Sequence, residues 1–159
     1  MPKNKGFTLI EVIIVLTMVG IIATAAGIGI VSIVQGFVFA KGNVALVQKG
    51  QVTMAKLMKE LNNVSSVSAA GPESISFSSY RAGVLYDHTL AMAGNTITYD
   101  GDILTDQVDS FELGYYDAHD GAHETTWTST RRIIEFTIAL NGADGVVIEF
   151  TKRVRPRNL

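Results

Sequence analysis

A long apolar stretch dominates the N-terminal part of the chain. Residues 7–40 number 34, of which 24 are hydrophobic, and Glu11 is their one charged residue. Val12 to Ala40 therefore runs for 29 residues without a charge. A helix of about 20 apolar residues is enough to cross the hydrocarbon core of a bilayer. The stretch predicts a helix that spans a membrane and is longer than the hydrocarbon core requires.

An amphipathic pattern then continues the helix beyond Ala40. Side chains at three- and four-residue spacing form one stripe, at Val44, Val47, Gln51, Met54, Met58 and Leu61. The other side carries Lys49, Lys56, Lys59 and Glu60. The pattern predicts one helix from about Phe7 to Asn62, whose stripe packs against a sheet. Packing against a partner helix is the alternative, but a strand-rich region follows directly.

After Asn63 the hydrophobic period changes to two, which is typical of strands. The predicted strands are 74–79, 84–92, 96–99 and 108–116, followed by runs around Ile134–Leu140 and Val146–Thr151. The last two runs flank a loop rich in turn residues, 141–145, and therefore predict a hairpin. One long helix followed by an antiparallel sheet is an α+β arrangement.

Composition narrows the function classes. The chain has 159 residues, a net charge of −2 and no cysteine. Disulfides, thiolate metal sites and cysteine nucleophiles are therefore excluded. The net charge near zero gives no reason to expect a nucleic acid partner. The sequence contains no nucleophile elbow, phosphate loop or dinucleotide fingerprint, so we do not expect an enzyme.

The residues that precede the apolar stretch decide how it is interpreted. Lys3 and Lys5 make residues 1–6 a short basic leader, which favours a cytoplasmic N-terminus and an outward-directed chain. An ordinary secretory signal fits poorly, because the apolar region is too long and lacks a clear cleavage site at its end. A membrane anchor fits better, although an ionised Glu11 inside it requires a partner. Glu11 at the level of the lipid headgroups is the alternative.

The segment Lys5-Gly6-Phe7-Thr8-Leu9-Ile10-Glu11, followed by the apolar run, resembles the N-terminus of type IV pilins. That family includes the pseudopilins of type II secretion. The resemblance implies cleavage by a prepilin peptidase after Gly6 and N-methylation of Phe7. It also implies that Glu11 is needed for assembly. Glu11 of one subunit would pair with the Phe7 amine of a neighbour, since each charge is costly alone in an apolar setting.

The resemblance also implies partners, location and domain organisation. The partners are other pilin or pseudopilin subunits, the prepilin peptidase, an inner-membrane assembly platform and the membrane. The chain would cross the bacterial inner membrane once, with its head outside the cytoplasm, before it enters a pilus or pseudopilus. The expected domains are a leader at 1–6, a transmembrane and filament-core helix at 7–40, and a head of the type IV pilin fold at 41–159.

Weaker local similarities favour a minor subunit, such as a J-type pseudopilin or a W-type minor pilin. They lie in the helix at Gln51–Leu61, in Ser74–Phe77 and in Leu104–Asp117. A role in initiation or at the filament tip is what they imply. The competing hypothesis is a monotopic membrane-anchored binding or sensor domain that forms no filament. That hypothesis predicts an uncleaved leader and tolerance of changes at Glu11.

The head contains two acid-rich turn regions that could supply oxygen ligands to calcium. The candidates are Asp100, Asp102, Asp106, Asp117 and Asp120. Their spacing differs from that of an EF-hand loop, and aspartate is also common in ordinary turns. The expectation is therefore no cofactor, with calcium as the alternative.

Charge and glycine content leave two further alternatives open. Residues 73–149 carry thirteen acidic side chains against three arginines, whereas 152–159 carries four basic side chains and no acid. This pattern indicates either a solvated surface or charge complementarity with another protein. Glycines at 20, 27, 29 and 36 indicate either close helix packing in a filament, which we favour, or a weak point in the helix.

Overall fold

The computed structural model describes residues 6–159. The leader predicted at 1–6 thus lies outside the described residues except for Gly6. The described chain forms one long α-helix, α1, from Leu9 to Asn62. Two compact units share this helix, with a boundary between Lys41 and Gly42. The domain limits predicted at residues 6 and 40 stay a prediction.

The second unit adds two antiparallel sheets to the end of α1. The first sheet has five strands in sequential order. They are β1 (Val64–Ala70), β2 (Ser74–Arg81), β3 (Val84–Ala93), β4 (Thr96–Tyr99) and β5 (Asp102–Thr105). The second sheet has three, β6 (Val108–Tyr116), β7 (Ile133–Asn141) and β8 (Val147–Val154). The predicted α+β class, a long apolar helix packed on antiparallel strands, is confirmed.

The alternation of apolar residues correctly predicted the strands of the second sheet. Phe111, Leu113 and Tyr115 of β6 are all buried, and so are Ile134, Phe136, Ile138 and Leu140 of β7. The predicted hairpin is present, because Asn141 pairs with Val147 and the register continues to Ile134 and Val154. β1 and β5 were not predicted. β1 is an edge strand rich in serine, and β5 is only four residues long.

The buried face of α1 differs from the predicted stripe. Met54 and Leu61 are buried as expected, but Val44 is 57% exposed and Met58 is 40% exposed. The helix instead buries Leu46, Gly50, Thr53, Leu57 and Glu60. Three- and four-residue spacing describes neighbouring stripes on one helix about equally well. The prediction was therefore wrong by part of a turn, because hydrophobicity alone does not choose between adjacent faces.

Glu60 is the clearest exception to the predicted polar side of the helix. It is only 7% exposed, and its Oε2 accepts a hydrogen bond of 3.2 Å from the Tyr99 hydroxyl. A buried carboxylate requires such a partner. Burial, followed by the nearby charge of Glu60, raises the pKa of Tyr99 well above its ordinary value. Tyr99 therefore remains a hydrogen-bond donor to Glu60 across the physiological pH range.

Close backbone approach explains Gly50 in the middle of α1. A Cβ atom at this position would overlap the ring of Phe150 on β8. Glycine thus lets the helix axis lie nearer to the second sheet than any other residue would. Gly42, eight residues earlier, has a different environment, because a Cβ atom there would lie 3.7 Å from the Cβ of Ala143, an ordinary contact.

Candidate functional site

The helix begins two residues after Phe7 because Thr8 caps it. The backbone N–H of Glu11 donates to the Thr8 carbonyl at 3.2 Å and lies 3.4 Å from Thr8 Oγ1, and the N–H of Val12 donates to the same carbonyl at 3.3 Å. A threonine followed three residues later by glutamate is the sequence pattern of a capping box. Gly6, Phe7 and Thr8 consequently stay outside the helix. The backbone on either side of the Gly6–Phe7 bond is exposed.

Glu11 lies in the first turn of α1, where the positive end of the helix dipole favours a carboxylate. Its neighbours are apolar and exposed, with Ile10 at 68% and Val12 at 45%. Within residues 6–159 no cation lies within ion-pair distance of it. The described residues therefore supply no cationic side chain as a partner for Glu11.

The first half of α1 presents its apolar side chains outward. Its most apolar window has a mean hydropathy of 2.5 and contains no buried residue. By length and composition, this helix is able to cross a membrane. Its few hydroxyl groups are satisfied inside the helix, since Thr24 and Ser32 donate to the carbonyls of Gly20 and Ile28 at 2.6 and 3.1 Å. The segment is thus consistent with a membrane anchor.

The four glycines of this segment are not required by close contacts within the described chain. A Cβ atom at Gly20, Gly27, Gly29 or Gly36 would meet no atom of the described chain within 4 Å. Alanine would therefore fit each position in the isolated helix and would favour helix formation by about 1 kcal/mol. Close packing against neighbouring helices and a local weak point both stay predictions.

The first group of calcium candidates is already engaged by other side chains. Asp100 accepts a hydrogen bond of 2.8 Å from the Thr89 N–H and pairs with His88 Nδ1 at 2.7 Å. The Asp100–Gly101 turn has φ angles of 55° and 89°, which suit the tight hairpin between β4 and β5. Asp106 pairs with Lys49. The hydrogen bond and the charge of Lys49 hold the pKa of Asp106 below its ordinary value.

The remaining candidates lie at separate places, since Asp102 begins β5 of the first sheet whereas Asp117 and Asp120 lie in the loop that follows β6. Asp117 forms an ion pair with Arg131, whose Nη1 lies 3.0 Å away, and accepts a hydrogen bond of 3.3 Å from the Thr130 hydroxyl. Asp102 and Asp120 are exposed. Nowhere between residues 6 and 159 do three or more histidine and carboxylate side chains gather in a way that could hold a metal ion. Calcium binding stays a prediction that the arrangement of these carboxylates does not favour.

Titration of the detergent-solubilised chain with calcium is expected to release no binding heat and to leave the melting temperature unchanged. The physical reason is that the carboxylates of Asp100, Asp106 and Asp117 already contact side chains of the chain itself, at His88, Lys49 and Arg131. Isothermal calorimetry measures the heat directly. The expectation would be wrong if saturable heat appeared and was then lost in an Asp100→Asn, Asp102→Asn variant.

The basic C-terminal segment is partly tied to the sheet. Arg153 Nε lies 2.5 Å from Glu135 Oε2, and its guanidinium lies 4.2 Å from the centre of the Tyr116 ring. Partial burial alone would raise the pKa of Glu135. Hydrogen bonds from Arg153 and Tyr116 and the charge of Arg153 outweigh this effect and hold that pKa below its ordinary value. This ion pair therefore stabilises the fold above the ordinary pKa of a glutamate and is lost on acidification.

Comparison with known proteins identifies a family motif in the N-terminal segment. The family model described as the prokaryotic N-terminal methylation motif matches residues 1–27. No curated protein and no solved structure matches the chain. The matched residues include Gly6, Phe7, the Thr8 cap, Glu11 and the first turns of the exposed apolar helix. Together with the long apolar helix that leads into antiparallel sheets, this match supports the resemblance of the chain to type IV pilin-like proteins, and the match itself is confined to the prepilin-type N-terminal segment.

Proposed function

We propose that the chain is a minor subunit, at the start or tip of a type IV pilus-like or type II secretion pseudopilus filament. The observation that supports a filament subunit is the N-terminal segment itself. A non-helical Gly6–Phe7 bond precedes a capped helix whose most apolar window contains no buried residue. A bilayer and a bundle of similar helices both provide the apolar environment that such a helix needs.

Assembly would depend on pairing between two subunits. Cleavage after Gly6 creates a cationic amine at Phe7, and Glu11 supplies a carboxylate one turn further along the chain. Within the apolar filament core each charge is expensive alone and tolerable when paired. The Glu11 carboxylate of one subunit would therefore bind the Phe7 amine of its neighbour. Support for this step comes from the motif and from the physical cost of an unpaired charge.

The assignment as a minor subunit rests on local similarity in the helix at Gln51–Leu61 and in the strands around Ser74–Phe77 and Leu104–Asp117. The proposed location follows from the basic leader. Lys3 and Lys5 would retain the N-terminus in the cytoplasm, and the head would lie beyond the inner membrane. An inner-membrane assembly platform would then move the subunit from the bilayer into the filament.

Mass spectrometry of the mature chain is expected to find an N-methylated Phe7 and no residue before it. In sheared filaments the chain is expected to be far less abundant than a co-assembled major subunit. A chain that retains Met1 in cells with an active prepilin peptidase would contradict the proposal and favour a membrane-anchored sensor. Equal abundance with the major subunit would contradict only the minor role.

A further inference from the structure

A cleft of about 560 Å³ opens at one end of the second sheet, outside the membrane segment. One wall is the loop that follows β6, with Asp117 and His119. The other wall is formed by the paired ends of β7 and β8, with Arg132, Ile133, Arg153 and Arg155. We call this feature the arginine cleft. Three guanidinium groups thus line one cavity of a chain whose net charge is negative.

Two of the three guanidinium groups are not neutralised within the described chain. Arg153 is paired with Glu135 at 2.5 Å, and the acid in the lining, Asp117, is paired with Arg131 at 3.0 Å. Between residues 6 and 159, Arg132 and Arg155 form no ion pair. The cleft therefore has a surplus of about two positive charges at neutral pH.

The walls of the cleft are held in place by backbone contacts. Ile134 pairs with Val154, which brings Arg132 and Arg155 to the same end of the β7–β8 hairpin. The Arg132 N–H donates to the Tyr116 carbonyl at 2.9 Å. Across the cleft, Arg153 Nη1 donates to the His119 carbonyl at 2.8 Å and so fixes the loop. A site with fixed walls loses little entropy when a ligand binds.

We propose that the arginine cleft binds an acidic segment of a neighbouring protein in the filament, through the side-chain carboxylates of that segment. A guanidinium group forms two parallel hydrogen bonds with a carboxylate, which a surface lysine cannot do. Ile133 and Ala118 in the lining provide apolar contact for the aliphatic stem of a glutamate. The proposed function supplies the neighbour, since heads of adjacent subunits lie side by side in a filament.

The composition of this chain shows that such a head can present carboxylates. Residues 73–149 carry thirteen acidic side chains against three arginines. Two of those arginines are Arg131 and Arg132, next to the cleft. Opposite charges on adjoining heads would orient each incoming subunit more than they would add affinity. An exposed electrostatic contact of this kind weakens as salt rises.

The test measures binding of a fluorescent oligoglutamate peptide to the full chain in detergent micelles, by anisotropy at low ionic strength. We expect saturable binding, and no binding of an oligoglutamine peptide. An Arg132→Gln, Arg155→Gln variant should lose about tenfold in affinity or more. The matched control, Arg81→Gln with Arg157→Gln, removes the same charge outside the cleft and should bind within about twofold of the parent chain.

Three results would overturn the proposal. An equal loss in the control variant would mean general attraction to positive charge. Binding of inorganic tripolyphosphate without binding of oligoglutamate would identify a phosphate site instead. If the cleft variant did not fold, arginine Nε–H signals of the unmodified chain would decide by nuclear magnetic resonance, and shifts on peptide addition that avoid Arg132 and Arg155 would also contradict it. None of these measurements needs a filament, so they are independent of the pairing between Glu11 and Phe7.

Discussion

Replacing Glu11 by alanine is expected to keep the chain out of filaments while leaving it in the membrane. In the proposed pairing, the substitution removes the carboxylate and leaves the Phe7 amine of a neighbour unpaired in an apolar core. Breaking a buried ion pair in this way costs about 3–5 kcal/mol. At about 1.4 kcal/mol for each factor of ten, incorporation should fall roughly a hundredfold or more. The measurement is the ratio of filament-bound to membrane-bound chain.

Two further variants separate the charge of Glu11 from its place in the helix cap. Glu11→Gln retains the side-chain shape and still suits the capping position, so only loss of charge explains a failure to assemble. Thr8→Ala removes the observed Thr8 cap and keeps the carboxylate, so it should assemble nearly normally. Normal incorporation of Glu11→Gln would show that pairing is not the role of Glu11. Leader removal must be checked in each variant, because a change in cleavage would alter assembly indirectly.

The candidate N-terminal site could be predicted from the sequence alone because its parts are adjacent in the chain, and its role stays a prediction. Gly6, Phe7 and Glu11 lie within six residues, and the apolar helix that follows is a composition signal. The structure adds the Thr8 cap, which the sequence pattern Thr8-Leu9-Ile10-Glu11 also contained. A capping box depends only on residues close in sequence, so this pattern by itself predicts a helix that starts at Leu9.

The fold was predictable where one sheet face is buried and the other is exposed. β6 shows this alternation from Phe111 to Leu113, and its predicted bounds, 108–116, agree with the structure. β1 could not be found in the same way, because three of its seven residues are serines and it has an exposed edge. Its place is fixed by pairing with β2, from Val64 opposite Ser79 to Ala70 opposite Ile75. Such pairing is a property of the assembled sheet and leaves little trace in a single strand.

The arginine cleft shows which residues of a site cannot be predicted until the pairing of the strands and the position of the loops are known. The sequence indicated a basic tail but gave no reason to join Arg132 and His119 to it. The position of Arg132 beside the basic tail could be predicted, because the predicted β7–β8 hairpin places the start of one strand beside the end of the other. His119 could not, because the loop from Asp117 to Arg132 has no periodic pattern. Its position depends on the Arg153 contact to the His119 carbonyl and on the Arg131 bridge to Asp117.

The same limit applies to the calcium candidates. Acidic residues that are close in sequence, such as Asp100, Asp102 and Asp106, suggested a shared site. The structure gives them different partners, His88 for Asp100 and Lys49 for Asp106. Lys49 comes from α1, 57 residues before its partner. A carboxylate cluster in a sequence therefore says little until the cations from distant elements have been placed.

Replacing Gly50 by alanine is expected to destabilise the head by about 1–3 kcal/mol, although alanine is the better helix former. The added Cβ would overlap the Phe150 ring, with Phe150 Cδ2 at 3.0 Å and two further ring atoms closer still. A phenyl ring held between a helix and a strand cannot yield as a long aliphatic chain would. Either the ring leaves its favoured rotamer or α1 moves away from β8, and both reduce the packing of the core.

The chain supplies a matched control for this prediction. Gly42→Ala makes the same chemical change in the same helix, but its Cβ would meet Ala143 at an ordinary 3.7 Å. That variant should gain about 1 kcal/mol from helix propensity. Thermal and chemical unfolding of the head, followed by near-ultraviolet circular dichroism, measures both variants against the parent chain. The changes in the free energy of unfolding are expected to have opposite signs in the two variants. Destabilisation of similar size in both would mean that glycine is needed at Gly50 for some other reason.

A double-mutant cycle with Phe150 identifies the contact that is responsible. Phe150→Leu alone should destabilise the head, because it removes a half-buried ring from the core. In the Phe150→Leu background, Gly50→Ala has more room. The loss in the free energy of unfolding that Gly50→Ala causes should therefore fall to less than half. The two effects would therefore sum to more than the loss in the double variant, as expected for residues in direct contact. Simple additivity would place the strain of Gly50→Ala elsewhere and would contradict the close approach of α1 to β8.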